Sequence, residues 1–269
     1  MQGFRLSVSW RAGLFAACLL ALSGCSTDPK DPTAGWSTSK IQTEAQDERS
    51  SGNFEKAITL YEKLEGRTAG TVTAQQAQLE KAYSQYKVGE TAQAEATLDR
   101  FMKNHPASPA LDYALYLKGL VSFNDNLGIF GSLSKQDLAE RDQHAAKQSF
   151  ESFRDLATRF PDSRYTPDAR QRMVYIVNAL AAHEVHVARY YYQRGAYLAA
   201  ANRAQTAITD YKNAPAQEEA LFILSKSYEA LGMDALRADT ERVLASNYPE
   251  SSFLKNGLRA NKGPWWKLW

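Results

Sequence analysis

The chain has 269 residues, 44% of them hydrophobic, with 32 Lys and Arg against 30 Asp and Glu. That near balance provides no basic surface to draw in nucleic acid, and two cysteines cannot staple so long a chain into a disulfide-built fold. Stability must come from a packed core, which a chain of this size can bury.

Arg5 and Arg11 precede an apolar run from Ala12 to Leu22, too short to span a bilayer and shaped like a secretory signal. It ends in Leu22-Ser23-Gly24-Cys25, which resembles the bacterial lipobox. The resemblance implies removal of residues 1–24, diacylglycerol on the Cys25 sulfur and acylation of the new amine. Ser26, where an Asp would resemble the inner-membrane retention signal, favours sorting to the outer membrane. Cleavage removes two arginines and no acid, leaving 30 basic residues against 30 acidic ones. Cys18 leaves with the leader and Cys25 bears lipid, so no disulfide forms. Residues 25–39 hold two Pro and one Gly and read as a flexible tether, with Trp36 placed to pack on the first helix.

Beyond the tether the chain repeats itself. In Ser149–Ala169, Phe150, Phe153, Ala157 and Phe160 fall at helical spacing, Pro161 stops the helix, and Pro167-Asp168 starts another. Gly89 and Pro106 are 17 residues apart, as are Gly232 and Pro249, and counting 17 back from Pro161 gives His144. Gly52 to Gly89 and Gly195 to Gly232 are each 37 residues. Five and nine residues after these glycines stand Ala57 and Tyr61, Ala94 and Leu98, Ala200 and Ala204, then Arg237 and Glu241. A small residue followed by a bulky one, closed by Pro, is the tetratricopeptide pattern. The sequence predicts an all-α chain, an α-solenoid of about five tetratricopeptide-like helix hairpins.

In chain order, repeats one to three span residues 40–161 and repeats four and five span 162–256, followed by a Trp-rich tail, 257–269. Tyr61, Tyr83 and Tyr86 match large core positions of the first two repeats. The third repeat is about 18 residues longer than the others, and residues 124–143 carry the excess. That insertion is a loop containing Leu127, Ile129, Phe130 and Leu133, apolar enough to be functional or to fold back on the body. The fourth repeat opens with a long helix from Asp168 to about Arg194. In the fifth, the charged Arg237 and Glu241 suit a terminal repeat with one face in solvent. The tail ends in Trp265-Trp266-Lys267-Leu268-Trp269, a cluster that must be covered by the last repeat or by a partner.

Catalytic patterns do not emerge. His183, Glu184 and His186 put the histidines three apart, whereas the zinc-protease helix needs four, and two histidines leave zinc short of ligands. No nucleophile elbow, dinucleotide loop or Walker loop is present. The expectation is a non-enzyme without cofactor or metal.

The order of features resembles the BamD (ComL) family of outer-membrane lipoproteins. The residues that carry it are Cys25, Tyr113–Leu120 (Y-A-L-Y-L-K-G-L), Asp137–Asp142, Phe160–Ala169 (F-P-D-S-R-Y-T-P-D-A) and Tyr191–Arg203. The Trp-rich end is not part of the family pattern. The resemblance implies a scaffold of the barrel-assembly (BAM) complex, held by lipid on the periplasmic face of the outer membrane. Its C-terminal repeats would bind a POTRA domain of the barrel subunit BamA, and its N-terminal repeats would receive the targeting segments of unfolded outer-membrane barrel proteins. Other BAM lipoproteins are further possible partners. The BamA contact falls on Arg194 and Arg203. Ala199, Ala200, Ala204 and Ala207 form the packed face of that helix, so Arg203 stands at its border, where a charge of either sign should be tolerated. It either projects outward or pairs within the repeat with Asp210 or Glu184. Tyr113, Tyr116 and Phe123, beside Phe130, are the candidate contacts for an aromatic-ended peptide, although Tyr113, Tyr116 and Leu120 share one helical face and some must be core. The alternatives are another periplasmic tetratricopeptide scaffold of the cell envelope, or a metallohydrolase using the His183 cluster.

Overall fold

The structure, a computed structural model, describes residues 31–123 and 143–258, and every regular element among them is helical. The helices are α1 (Thr38–Ser50), α2 (Phe54–Arg67), α3 (Val72–Lys87), α4 (Thr91–Asn104), α5 (Leu111–Phe123), α6 (Gln143–Arg159), α7 (Thr166–Gln193), α8 (Tyr197–Asp210), α9 (Gln217–Ala230), α10 (Asp234–Asn247) and the short α11 (Ser252–Asn256). Each packs chiefly on its neighbours in sequence, so α1 to α10 form five hairpins in a row. Cys25, Phe130, Trp265, Trp266 and Trp269 lie outside the described residues.

The turn inside four of the hairpins has one cause. Gly52, Gly89, Gly195 and Gly232 sit at φ of 85°, 81°, 77° and 70°, a left-handed conformation that a Cβ disfavours. The residue after each glycine donates its amide back across the turn: Asn53 to the Glu48 carbonyl at 2.8 Å, Glu90 to Gln85 at 2.9 Å, Ala196 to Tyr191 at 3.0 Å and Met233 to Tyr228 at 2.9 Å. These bonds satisfy carbonyls that the end of the first helix would otherwise leave open.

In the second helices a stripe at five, eight, nine and twelve residues past the turn position is buried, in full in the first three hairpins and in part in α8, where Arg203 is exposed, and in α10. In α2 these are Ala57, Leu60, Tyr61 and Leu64, and in α4 they are Ala94, Thr97, Leu98 and Phe101, all buried. Counting from His144, which replaces the glycine in the third repeat, gives Ser149, Ser152, Phe153 and Leu156 in α6, again all buried. In α10 Thr240 and Leu244 are buried while Arg237 and Glu241 stay half-exposed. The terminal repeat keeps half its stripe and gives the rest to solvent.

Among the described residues five apolar clusters form the core, and four of them join buried residues of one hairpin to those of the next. Leu79, Leu98, Phe101 and Leu117 join α3, α4 and α5. Leu115, Phe153, Leu156, Ile176 and Leu180 join α5, α6 and α7. Val185, Ala188, Ala200, Ala204 and Ile223 join α7, α8 and α9. The 28-residue α7 therefore serves two layers: Ala169 to Leu180 complete the third repeat, and Val185 onward builds the fourth.

The segment read as a tether differs from expectation over its second half. Ser37 caps α1, accepting the Lys40 amide at 3.2 Å, and Thr33 is buried. Arg67 donates to the carbonyls of Thr33 and Trp36, both at 2.9 Å, Lys63 pairs with Asp31, and Trp36 packs on a cluster of Ile41, Ala45, Leu60 and Tyr61 from α1 and α2. Two cations from α2 thus dock residues 31–37 on the first hairpin, offsetting the entropy a Pro- and Gly-containing stretch would retain.

Candidate functional site

Two faces carry the side chains that the sequence singled out. The first lies along α3, α5 and the start of α7. Tyr116 stacks on Tyr165 with ring centroids 4.8 Å apart, Tyr113 meets the same ring at 5.5 Å, and Phe153 backs Tyr116 at 6.0 Å. The Tyr116 hydroxyl donates to Asp168 Oδ2 at 2.8 Å, and Arg172 Nε donates to the same oxygen at 2.5 Å. The Arg172 guanidinium lies 5.2 Å from the Phe123 ring, whose edge meets Tyr175 at 5.8 Å. Arg164 covers Tyr165 and donates to its hydroxyl at 2.7 Å. The four candidate aromatics thus divide: Tyr113 packs against the core of repeats two and three, Tyr116 and Phe123 against that of repeats three and four, and Phe130 is not described. Helical spacing could not show that Tyr165, at the cap of α7, and Asp168, Arg172 and Tyr175 within it complete the face, because they lie some 50 residues away.

Burial, and then the negative charge of Glu80, pushes the Tyr113 hydroxyl well above the ordinary tyrosine value. Tyr116 is raised by burial and then by its bond to Asp168. At Asp168 burial works the other way, but the hydrogen bonds from Arg172 and Tyr116 hold its carboxyl below the ordinary value. Both hydroxyls therefore stay protonated and the carboxylate stays charged at neutral pH. An open cleft of about 510 Å³ between α3 and α5 borders this face, with Gln76, Glu80, Asp112, Tyr113, Arg164 and Tyr165 on its walls. Flat rings flanked by fixed charges can stack apolar or aromatic side chains and bond an extended backbone.

The second face is on α7 and α8. Arg194 ends α7, exposed, with its guanidinium 4.5 Å over the Tyr190 ring. Arg203 donates through Nη1 to Glu184 Oε2 at 3.1 Å; the carboxylate side chain is 5% exposed and the arginine 48%. Of the two arrangements open to Arg203, projecting outward or pairing inside the repeat, the structure has both at once, and of the two partners it takes Glu184. A negative charge at position 203 would face that buried carboxylate, so the expected tolerance for either sign is lost. One turn further on, Arg189 grips Glu219 of α9 through Nε and Nη2 at 2.5 and 2.7 Å, tying repeat four to repeat five. Thirty residues separate this pair, and no local spacing announces it.

The histidine cluster does not take the zinc-protease form. Glu184, which a zinc-protease arrangement needs as a free base, is buried and paired to Arg203, and no group of three or more His, Cys, Asp or Glu among the described residues is placed to hold a metal. No helix among them is long and apolar enough to cross a membrane.

A family profile described as "Outer membrane lipoprotein" (YfiO) matches residues 36–244, from Trp36 into α10. The outer membrane protein assembly factor BamD of Neisseria meningitidis serogroup B is 48% identical over 255 residues, covering 93% of this chain and 96% of that one. The BamD proteins of Haemophilus influenzae and Vibrio cholerae are each 32% identical, over 87% of this chain and 88% of the relative in the first case and 88% and 97% in the second. With similarity of this degree running through all five helix pairs, the chain belongs to the BamD (YfiO) family of outer-membrane lipoproteins.

Proposed function

We propose that the chain is a non-catalytic scaffold of outer-membrane barrel assembly, anchored through a lipid on Cys25, that holds two partners on different repeats. Repeats four and five bind a POTRA domain of the barrel subunit BamA through Arg194 and Arg203. Repeats one to three receive the aromatic-ended targeting segment of an unfolded barrel protein along Tyr113, Tyr116 and Phe123, with Phe130 of the insertion as a further contact. The observation that carries this reading is near-complete alignment with assembly factors, 48% identical over 93% of the chain. The two faces support it: one offers stacked rings beside a cleft, the other a half-exposed guanidinium able to clasp a carboxylate with two parallel bonds.

Affinity capture of the full chain from detergent-solubilised envelopes tests the proposal. A barrel protein carrying POTRA domains should co-elute, and recovery with other envelope proteins alone would favour a different periplasmic scaffold. Mass spectrometry of the mature N-terminus should find two or three acyl chains on Cys25, because one chain holds a soluble domain only marginally at about 0.8 kcal/mol per buried methylene. An unmodified first residue would remove the anchor.

A further inference from the structure

The five repeats provide their own controls for the Arg203 site. Eight residues past the turn, the second helices carry Leu60, Thr97, Ser152, Arg203 and Thr240; the other four are buried and uncharged, and Arg203 alone among them is exposed and charged. Nineteen residues earlier, on the first helix of repeats one, two, four and five, stands the residue of matching register. In repeat four it is Glu184, bonded to Arg203. In repeat two it is Gln78, buried, whose side-chain amide donates to the Thr97 carbonyl at 3.3 Å. In repeats one and five the same place holds Ile41 and Leu221, both buried. Among the described residues this layer therefore carries an apolar pair, a neutral polar pair or a mixed one, and only repeat four has two charges there.

Stability does not ask for those charges. A carboxylate this deeply buried loses its hydration, and an apolar pair of similar volume commonly serves as well or better. What the ion pair adds is direction. Glu184 is buried, as are Leu180, Ala181 and Ala188 about one turn from it on α7, and its Oε2 accepts one guanidinium N–H. The neighbouring stripe of α8 is Ala200, Ala204 and Ala207, too short to hold the arginine stem by packing. Without the carboxylate, Arg203 would sample its rotamers freely from a half-exposed site.

We infer that Glu184 is a positioning residue: a buried carboxylate that fixes the Arg203 guanidinium in the orientation an acidic group of the partner must meet. This rests on the reading of Arg203 as a partner contact. It makes a prediction opposite in sign to charge counting. Removing Glu184 raises the local net charge by one, so attraction to an acidic partner through the general field would strengthen. If Glu184 acts by orientation, binding weakens instead.

The test measures affinity of the full chain for the POTRA array of the same bacterium's BamA, with Arg203→Ala, Glu184→Leu, Glu184→Gln and the double variant Glu184→Leu/Arg203→Leu. Glu184→Leu leaves no buried charge orphaned, since the arginine is half in water, and the double variant recreates the apolar closure of repeat one, so both should fold with unfolding midpoints near the parent's. Arg203→Ala and Glu184→Leu should each weaken binding about tenfold or more, and the double variant should be no weaker than Arg203→Ala. Glu184→Gln, which keeps an acceptor oxygen for the guanidinium, should recover part of the loss. Unchanged or tighter binding by Glu184→Leu, while Arg203→Ala binds poorly, overturns the positioning role. Unchanged binding by Arg203→Ala overturns the partner contact on which it stands.

Discussion

Single residues show how tightly the layers are set. Gly119, inside α5, has no room for a methyl group: a Cβ there would lie 2.4 to 2.7 Å from three ring atoms of Phe153, itself fully buried. Ser149 of α6 donates to the Gly119 carbonyl at 2.8 Å, so the two helices are pinned at this close approach. Gly119→Ala gains up to about 1 kcal/mol of helix propensity but must displace a buried ring, and overpacking commonly costs about 1 to 3 kcal/mol. The clash should win, lowering stability by about 1 to 2 kcal/mol in urea unfolding, and Phe153→Leu in the same chain should recover part of it. A second residue-scale prediction concerns the docked segment. The Lys63 ammonium, followed by hydrogen bonds from Thr33, holds the Asp31 carboxyl at about 2, against an ordinary 3.8. A lowered folded-state value stabilises docking above pH 3.8, and the contribution is lost as pH falls through about 2. An NMR titration of Asp31 should have its midpoint near 2, and Lys63→Met should move it up towards 3.8.

At the scale of elements, the hairpins were legible because their determinants are local. A turn glycine, a stripe at five, eight, nine and twelve residues past it and a closing proline lie within one repeat, and even the repeat without a glycine buries the stripe its proline predicts. What crosses between repeats was not legible. Trp36 could be placed on the first hairpin, yet its Pro- and Gly-containing neighbours read as a tether because Lys63 and Arg67, which dock them, are 31 to 34 residues away. Arg203 could be placed at the edge of its stripe, while its choice of Glu184 over Asp210 needed the fold or the Gln78 and Thr97 pairing of repeat two as a template. The junction of repeats four and five carries a prediction of this kind. Arg189→Met leaves Glu219, with its side chain 10% exposed, without its two-point grip. The loss should be about 2 to 4 kcal/mol, tempered by the partial exposure of Arg189. Hydrogen exchange should report it first in α9 and α10, while protection in α1 to α4 stays as it was.

Across the molecule, a solenoid whose described layers pack chiefly on their neighbours can give different repeats to different partners without one site distorting another. The apolar, ring-rich face of repeats three and four sits where α7 begins, and the Arg203 face sits where α7 ends, so one 28-residue helix, about 42 Å long, separates the proposed tasks. Site-specific photo-crosslinking in intact envelopes tests that division most directly, with the probe placed in turn at Phe123 and at Leu198, an exposed residue of α8 five positions before Arg203. The proposed division of tasks predicts that Phe123 captures the C-terminal segment of barrel proteins in transit and that Leu198 captures the POTRA region of BamA. Capture of both partners from one position, or of POTRA domains from Phe123 and barrel segments from Leu198, would contradict it.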